Sequence, residues 1–530
     1  MGATVDRHRR ALRSTAALSA PALAFSAIFF ALPLLAILRR GLVIDGALDV
    51  PLDVIFRRST GSIIWFTFWQ AAVSTLLTLV AGLPLAWALS RFNFRGRTAL
   101  EVLVLVPFVL PTLVVATAFI EVLPPSLDHT VWAILAAHVF FNLAVVVRVV
   151  GSLWSTLDGR LWEVSSTLGA GPVRRFRTIT LPLLAPSLAA AGAIVFLFCF
   201  TSFGVILILG GPGFATLETE IYNQAVRFFD LRTASALALV QLAAVAATVI
   251  VAGRLERRTA VAVRRRRPAR LSDPRDRLLV GIVAAASCAF VLVPPLVLVR
   301  RALESPTGFG LGNFASLGRE TPALLVEPWH AIVNSLVYAG AATVIALAVG
   351  VPAAVAIARG SRLVDAAVMI PLGASAAMLG LGFILAFASP PLELRGSRAI
   401  VPIAQALIAI PFVVRTLVPS LRAVDRRLRD AAAVLGATPR QVLTTIEIPL
   451  LARALAVATG TAFAIALGEF GATVFLARAE SPTLPVAIFR FLGRPGAENA
   501  GTAAALAVVL MGLVMLVAFG VERGLGRRRL

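Results

Sequence analysis

Apolar stretches of about 20 residues recur along the whole chain, and each is long enough as a helix to cross a hydrocarbon core roughly 30 Å thick. The breaks between them predict span boundaries to within about four residues. The predicted spans are 15–37, 65–90, 100–122, 131–151, 185–208, 234–252, 278–299, 333–357, 366–388, 400–420, 453–476 and 502–521. The pattern therefore predicts an all-α integral membrane protein with about 12 transmembrane helices.

Composition supports this interpretation. Hydrophobic residues make up 59% of the chain and charged residues 14%, against roughly half and a quarter in an average soluble domain. The first span has arginines ahead of it, as a signal peptide does, but it is long and lacks a convincing cleavage site. We therefore expect it to be a mature helix.

The basic residues lie in short clusters between the apolar runs, although the net charge of +22 might suggest nucleic acid. Faces that bind nucleic acid interleave basic with aromatic residues, whereas short cytoplasmic loops of membrane proteins carry a positive excess. With the N-terminus in the cytoplasm, every main cluster falls on that side: 91–97, 174–177, 253–277, 359–362, 422–440 and 527–529. The opposite loops carry acidic residues, namely Glu121, Asp128, Glu218, Glu220, Asp230, Glu480 and Glu498. We predict cytoplasmic N- and C-termini.

Side chains that carry out catalysis or bind metals are sparse. Cys199 and Cys288 lie far apart in apolar segments, which supports neither a disulfide framework nor a metal cluster. The four histidines, His8, His129, His138 and His330, show no ligand spacing. The chain contains no lysine, which a phosphate-binding P-loop requires. We predict no catalytic residue, no bound metal and no bound cofactor, and we do not expect this chain to hydrolyse ATP by itself.

An internal repeat is the strongest signal. Glu163 begins a segment that ends in Leu168-Gly169-Ala170, and Asp430 begins one that ends in Leu435-Gly436-Ala437. Pro182 and Pro449 follow at the same distance, so the two copies are offset by 267 positions throughout. The same offset joins further pairs: Arg148 and Arg415, Asp158 and Asp425, Phe203 and Phe470, Gly204 and Gly471, Thr216 and Thr483, and Ile221 and Ile488.

Six spans per half is an even number, so both halves cross the membrane in the same sense and both loops face the cytoplasm. We predict a first domain over 1–252, an arginine-rich cytoplasmic linker over 253–277 and a second domain over 278–530. The linker contains four consecutive arginines, Arg264–Arg267, and serves better as a positive-inside anchor than as a nucleic-acid site.

Each repeated loop has the sequence of a helix-turn-helix on the membrane surface. Asp158 and Asp425 can cap a short helix that ends at Gly169 or Gly436. A second short helix restarts at Pro172 or Pro439, because proline suits the first helical turn. The exposed arginines of this second helix are Arg174, Arg175, Arg177 and Arg440. The strict register in which the two loops are duplicated favours docking of a partner over a simple positive-inside role.

These loops resemble the EAA loop, E-A-A-x-x-x-G followed by I-x-L-P, of binding-protein-dependent ABC importer permeases. Ile179-Thr180-Leu181-Pro182 matches the second part, and Ile446 to Pro449 departs from it conservatively. Val164 and Ser165 replace two alanines, and the acid of the second copy is Asp430. The resemblance covers essentially the whole chain as two fused, pseudo-symmetric six-helix type-1 permease domains in a bacterial inner membrane.

The resemblance implies a function and partners. The loop would be a coupling helix that sits in a cleft of an ATP-binding subunit, two of which would dock, and an extracytoplasmic binding protein would deliver the solute. The implied coupling residues are Glu163, Leu168, Gly169, Ala170, Pro182, Asp430, Leu435, Gly436, Ala437 and Pro449. The outer loops 209–233 and 477–501 are long enough to receive such a binding protein.

In its length and its fused organisation, the chain resembles the permeases for thiamine and those for ferric iron. The segments 137–143, 199–203, 209–212 and 220–222 look more like the thiamine branch, while ferric iron or another small solute stays open. A secondary transporter with duplicated halves is the alternative from another class. It would need more intramembrane carboxylates than this chain offers and would not need the paired loops.

Candidate pathway residues lie in the fifth span of each half. Glu469, opposite Ser202 in the repeat, is an ionisable residue within a span, where such groups usually face a cavity or a partner. It would meet a cationic substrate or bond across helices. The matched pairs Phe203-Gly204 and Phe470-Gly471 permit close helix approach while the ring packs or gates. Arg148 and Arg415 lie near the cytoplasmic ends of their spans, where snorkelling to the surface is easy.

Overall fold

The computed structural model describes residues 16–44, 46–157, 160–256, 269–271, 273–306, 308–390 and 392–526. Several sequence features lie outside the described residues: the arginines ahead of the first span, Asp158, the Arg264–Arg267 run and the arginines at 527–529. Almost all of the described chain is helical. Its strands form three two-residue pairs, Val43–Ile44 with Ala47–Leu48, Phe92–Asn93 with Ala269–Arg270, and Glu304–Ser305 with Gly308–Phe309.

Ten helices of the described chain are long and apolar enough to cross a membrane. They are α1 Ala16–Leu42, α2 Arg58–Arg91, α3 Val131–Trp154, α4 Pro172–Phe200, α5 Leu231–Glu256, α6 Pro274–Leu303, α7 Pro328–Ala358, α8 Ile400–Ala423, α9 Ile448–Gly468 and α10 Ala497–Gly526. Shorter helices include Leu52–Ile55, Arg97–Leu103, Val106–Val109, Thr112–Val122, Arg160–Thr167, Gly204–Leu209, Leu217–Tyr222, Gly312–Ala315, Arg362–Met369, Ala376–Ala386, Arg426–Val434, Pro439–Val442, Thr473–Leu476 and Leu484–Leu492.

The two remaining predicted spans, 100–122 and 366–388, are bent and not straight. Each consists of two helical segments that meet at an angle, 103° in the first case and 104° in the second. At the first bend Pro111 holds the preceding Leu110 in an extended conformation, which a helix cannot include. At the second, Ser375 starts a new helix by accepting a hydrogen bond from the N–H of Met378. With each bent pair counted as one span, the total is the predicted 12.

The fifth spans of the two halves begin and end earlier than predicted. Helix α4 ends at Phe200 and α9 at Gly468, whereas the sequence predicted single spans over 185–208 and 453–476. After each break a short helix resumes, at Gly204 in the first half and at Thr473 in the second. The repeated Phe-Gly pairs therefore lie at matched helix breaks.

The chain forms two compact units. Unit I comprises Asp53–Glu220 and Val240–Arg301, and unit II comprises the described residues of Met1–Leu52, Ile221–Leu239 and Ala302–Leu530. The first span of each half thus belongs to the unit built mainly from the other half. The predicted domains 1–252 and 278–530 describe the duplication along the chain, and their boundaries are not those of these units.

Unit I is held by tight packing of α2 against α3. A side chain at Gly82 would place its Cβ 2.6 Å from Cγ1 of Val146, so only glycine permits this approach. Leu85, Leu100 and Leu143 pack beside this contact in a buried cluster that also contains Val291 of α6. The first span of the second half is thereby fixed in unit I.

Unit II repeats this contact. A Cβ at Gly350 of α7 would lie 2.9 Å from Cγ1 of Val413 in α8. Val413 matches Val146 at the 267 offset, whereas Gly350 is displaced by one further position from Gly82. In the same unit Gly382 allows Pro33 of α1 to approach, with a would-be Cβ contact of 2.9 Å. The repeat therefore extends to the second span of each half.

Candidate functional site

The first repeated loop begins with the helix Arg160–Thr167 and turns at Gly169, whose φ is +77°. The N–H of Ala170 donates to the carbonyl of Ser165 at 3.0 Å, which is the six-to-one bond of a Schellman motif. Because a side chain in this left-handed conformation is strained, glycine is required there. The predicted end of this helix at Gly169 is confirmed.

The second loop has the same geometry 267 positions later. The helix Arg426–Val434 turns at Gly436, whose φ is +78°, and Ala437 donates to the carbonyl of Ala432 at 3.0 Å. Asp425 caps this helix, since its carboxylate accepts from the N–H of Arg427 at 2.9 Å. The predicted cap is therefore confirmed in the second copy.

The second helix of each loop starts at the predicted proline but is not a separate short helix. It continues through a five-residue π-helical turn, Phe176–Thr180 within α4 or Leu443–Glu447 ahead of α9, directly into the α-helix of the span. Pro182 and Pro449 follow at the second position of the resumed α-helix. Proline cannot donate a backbone hydrogen bond and crowds the carbonyl four residues earlier, which accounts for the widened turn.

The tips of both loops expose apolar side chains. Leu168 is 81% exposed and Leu435 is 86% exposed, and Val173 and Val434 are exposed beside them. Pro182 and Pro449 are exposed as well, while Ala170 and Ala437 are partly buried. The side chains of Glu163 and Asp430 lie outside the described part of the structure. Apolar clusters with a polar rim mark sites of protein interaction.

Ser202 belongs to a buried polar cluster within unit I. Its Oγ lies 2.9 Å from Nε2 of His138, and Oγ of Ser74 lies 3.0 Å from Nδ1 of the same ring. One turn further along α3, Asn142 donates to the carbonyl of His138 at 2.9 Å. Three segments, α2, α3 and the break after α4, are thereby joined through one imidazole.

Glu469 occupies the matched position in unit II but makes different contacts. Its Oε1 accepts from the N–H of Ala472 at 2.7 Å, and its Oε2 accepts from the N–H of Thr473 at 3.0 Å and from the Thr473 hydroxyl. The carboxylate therefore caps the helix Thr473–Leu476. Among the residues that the structure describes, it bonds within its own turn and not across helices.

The two phenylalanines of the matched Phe-Gly pairs are buried. The Phe470 ring packs against Phe489, with centroids 5.5 Å apart. A side chain at Gly471 would collide with Cβ of Ala376, so glycine is required for this close approach. Gly204 is buried at the start of the helix Gly204–Leu209. In both units the Phe-Gly pair therefore lies among packed residues.

Sequence reasoning missed two buried polar pairs of unit I. Gln70 of α2 donates to the carbonyl of Cys199 at 2.9 Å, and Gln241 of α5 donates to Glu218 at 2.8 Å. The sequence places Glu218 in an outer loop, yet its side chain is fully buried in the structure. The available signal was the single glutamine in each of these two spans.

Comparisons with known proteins agree with these observations. Residues 78–261 match the family model described as binding-protein-dependent transport system inner membrane component. A thiamine transport system permease protein of Escherichia coli is 27% identical, covering 86% of this chain and 88% of its own length. Its counterpart in Brucella abortus strain 2308 is 29% identical, covering 88% of both chains. A probable ABC transporter permease protein of Sinorhizobium fredii is 24% identical over 94% of both chains.

The family match, the relatives that extend over nearly the whole chain, the span-length helices and the duplicated loops all describe one kind of molecule. The chain is a multi-pass inner membrane protein that is similar over nearly its whole length to ABC transporter permeases, and its residues 78–261 match the binding-protein-dependent family.

Proposed function

We propose that this chain forms the pathway by which an ATP-driven importer carries thiamine across the inner membrane. The observation that carries the proposal is the pair of matched loops, each turned by a left-handed glycine and each tipped by an exposed leucine. The relatives named as thiamine permeases favour thiamine as the solute. Ferric iron, the alternative from sequence, has no specific observation in its favour.

The loops serve as levers in this proposal. Two ATP-binding subunits dock on the cytoplasmic face, one at each loop, and hold the ATP and Mg²⁺ that this chain does not bind. When the two subunits close, each pulls its loop. Because the helix from Pro172 to Phe200 is continuous, movement at the first loop reaches Ser202 directly. The second loop connects in the same manner through α9 to Glu469.

The proposed pathway residues lie at the two helix breaks. They are Ser202, Phe203 and Gly204 in unit I and Glu469, Phe470 and Gly471 in unit II. A broken helix within a membrane exposes backbone groups that a polar solute can contact, and transporters place their sites at such breaks. An extracytoplasmic binding protein delivers the solute, with both termini of the chain in the cytoplasm.

The test is ATP hydrolysis by the chain reconstituted in proteoliposomes with its ATP-binding subunit and binding protein, with thiamine or ferric iron as the ligand. We expect thiamine to stimulate hydrolysis and to accumulate in the vesicles, and ferric iron to do neither. Stimulation by ferric iron alone would refute thiamine as the solute. Uptake driven by an ion gradient without ATP would refute the importer mechanism and support a secondary transporter.

A further inference from the structure

Unit I contains a cavity of about 560 Å³ whose lining includes none of the proposed pathway residues. Its walls are the end of α2, the helix Arg97–Leu103 and the last three turns of α3. Under the predicted orientation, the end of α3 and the start of Arg97–Leu103 both lie at the cytoplasmic side of the membrane. Under this orientation, the cavity opens near the cytoplasmic surface of the membrane.

Polar and apolar residues are separated along both walls of the cavity. On α3 the lining residues Ala144, Val147, Arg148, Ser152 and Ser155 form one face of the helix, about 16 Å long at 1.5 Å per residue. The apolar members come first and the polar ones lie toward the cytoplasmic end.

The opposite wall has the same gradient although its chain runs in the other direction. Arg97 and Thr98 lie at the cytoplasmic start of their helix, and Val102 and Leu105 lie deeper. A cavity with a polar mouth and an apolar floor matches the shape of a phospholipid, which has a charged headgroup above its acyl chains.

Two arginines line the mouth, and only one is engaged by the protein. Arg97 donates to the carbonyl of Leu89 at 3.0 Å and pairs with Glu101 at 2.8 Å. Arg148 is exposed and makes no hydrogen bond or ion pair with any residue that the structure describes. A guanidinium is a planar fork that suits the bidentate binding of phosphate. Arg148 is thus available for an anion.

We propose that this cavity binds an anionic phospholipid of the cytoplasmic leaflet, with the headgroup phosphate on Arg148 beside the hydroxyls of Ser152 and Thr98. Basic pockets between membrane helices on the cytoplasmic side bind phosphate-bearing lipid headgroups. The acyl chains lie along Val102, Leu105 and Val147. The proposal does not depend on which solute is transported.

The matched arginine of the second half provides a control. Arg415 donates through Nε to Sδ of Met369 at 3.2 Å, and the position that corresponds to Ser152 is Pro419, which has no hydroxyl. Removal of Arg415 therefore changes the net charge at similar depth without removing the free guanidinium of the proposed site.

The experiment uses the full-length chain in detergent with equal mole fractions of phosphatidylglycerol and phosphatidylcholine, and native mass spectrometry to measure the bound lipids. We expect wild type and Arg415→Gln to retain phosphatidylglycerol preferentially. Arg148→Gln should bind it about tenfold more weakly, the order expected for one charge-assisted hydrogen bond. Arg148→Lys, which keeps the charge without the fork, should bind with intermediate affinity.

Three outcomes would overturn the proposal. Equal binding by wild type and Arg148→Gln would exclude Arg148, and equal loss in both glutamine variants would indicate a general charge effect. Displacement of the lipid by inorganic phosphate at millimolar concentration would identify a free anion site and not a lipid site. Thermal unfolding in phosphatidylcholine alone, with equal midpoints for all variants, verifies that each variant is folded.

Discussion

The two halves agree closely at their cytoplasmic loops and differ at the buried positions beyond them. Gly169 and Gly436 have φ values within one degree of each other, and both loops lead through a π-turn into a span. At the ends of those spans Ser202 bonds to His138, whereas Glu469 caps its own short helix.

The partner of Ser202 differs between the halves as well. The position that corresponds to His138 is Gln405, whose Oε1 is buried and makes no hydrogen bond with the described residues. The two ATP-binding subunits of the proposed importer would each require a docking loop, whereas a single solute needs no symmetric path. The two copies have therefore stayed alike at the cytoplasmic loops, where two partner subunits are proposed to dock. They have diverged at the helix breaks, where a single solute is proposed to pass.

The largest expected effect follows from removal of both left-handed turns. Valine at Gly169 and Gly436 would cost about 1–2 kcal/mol at each loop, because a β-carbon clashes in this conformation. Together the two substitutions should lower the population of the docking geometry on the order of a hundredfold. Thiamine uptake into proteoliposomes should fall accordingly, while the amount of chain in the membrane is unchanged.

Gly171→Ala is the matched control for this experiment. Gly171 lies in the same loop, has an ordinary negative φ and has open space where a β-carbon would be placed. It should transport like wild type. Normal uptake by the double valine variant would show that the turns are not needed for coupling.

Much of the fold could be predicted from the sequence, because hydropathy reports span length and the repeat reports symmetry. Ten spans, both glycine turns and the cap by Asp425 follow from such local signals. The bends near Pro111 and Ser375 could not be predicted, since an apolar run has the same hydropathy whether it is straight or bent. The contacts of His138 required knowledge of which helices pack together, and no periodicity contains that information.

Loss of the imidazole should destabilise unit I by about 2 kcal/mol. His138→Ala removes a hydrogen-bond partner of Ser74, whose side chain is fully buried, and of Ser202. An unpaired buried hydroxyl costs about 1–3 kcal/mol. The matched change Gln405→Leu should be neutral or stabilising, because it removes an amide oxygen without a partner. Thermal unfolding of His138→Ala and Gln405→Leu in the same detergent measures the two changes in stability. Equal losses of stability in the two variants would contradict the proposed difference between the halves.

The next prediction concerns the contact that the two halves share. Gly82→Ala and Gly350→Ala place a β-carbon against Val146 and Val413, and overpacking costs about 1–3 kcal/mol. The clash is tighter at Gly82, so its variant should lose more stability. Gly340→Ala, in the same helix as Gly350 but with open space around it, should lose none. Rescue of Gly82→Ala by Val146→Ala would tie the loss to this contact, and a loss as large at Gly340 would refute it.

The smallest effect concerns a local hydrogen-bonding difference between the two loops. In the second copy Thr438 and Gln441 form a capping box: the N–H of Thr438 donates to Oε1 of Gln441 at 2.8 Å, and the N–H of Gln441 donates to Oγ1 of Thr438 at 3.3 Å. The first copy has Gly171 and Arg174 at these positions and lacks the box. Thr438→Ala should cost about 1 kcal/mol, which corresponds to roughly fivefold faster amide exchange at the start of this helix.

Gln441→Ala should speed exchange by a similar factor, and the double variant should add little, because both single changes break the same reciprocal pair. Uptake should hardly change in any of them, since the first loop couples in this proposal without a box. A large loss of uptake in Thr438→Ala would mean that the two loops contribute unequally to coupling. The functional difference between the halves would then begin at the docking loops and not at the helix breaks.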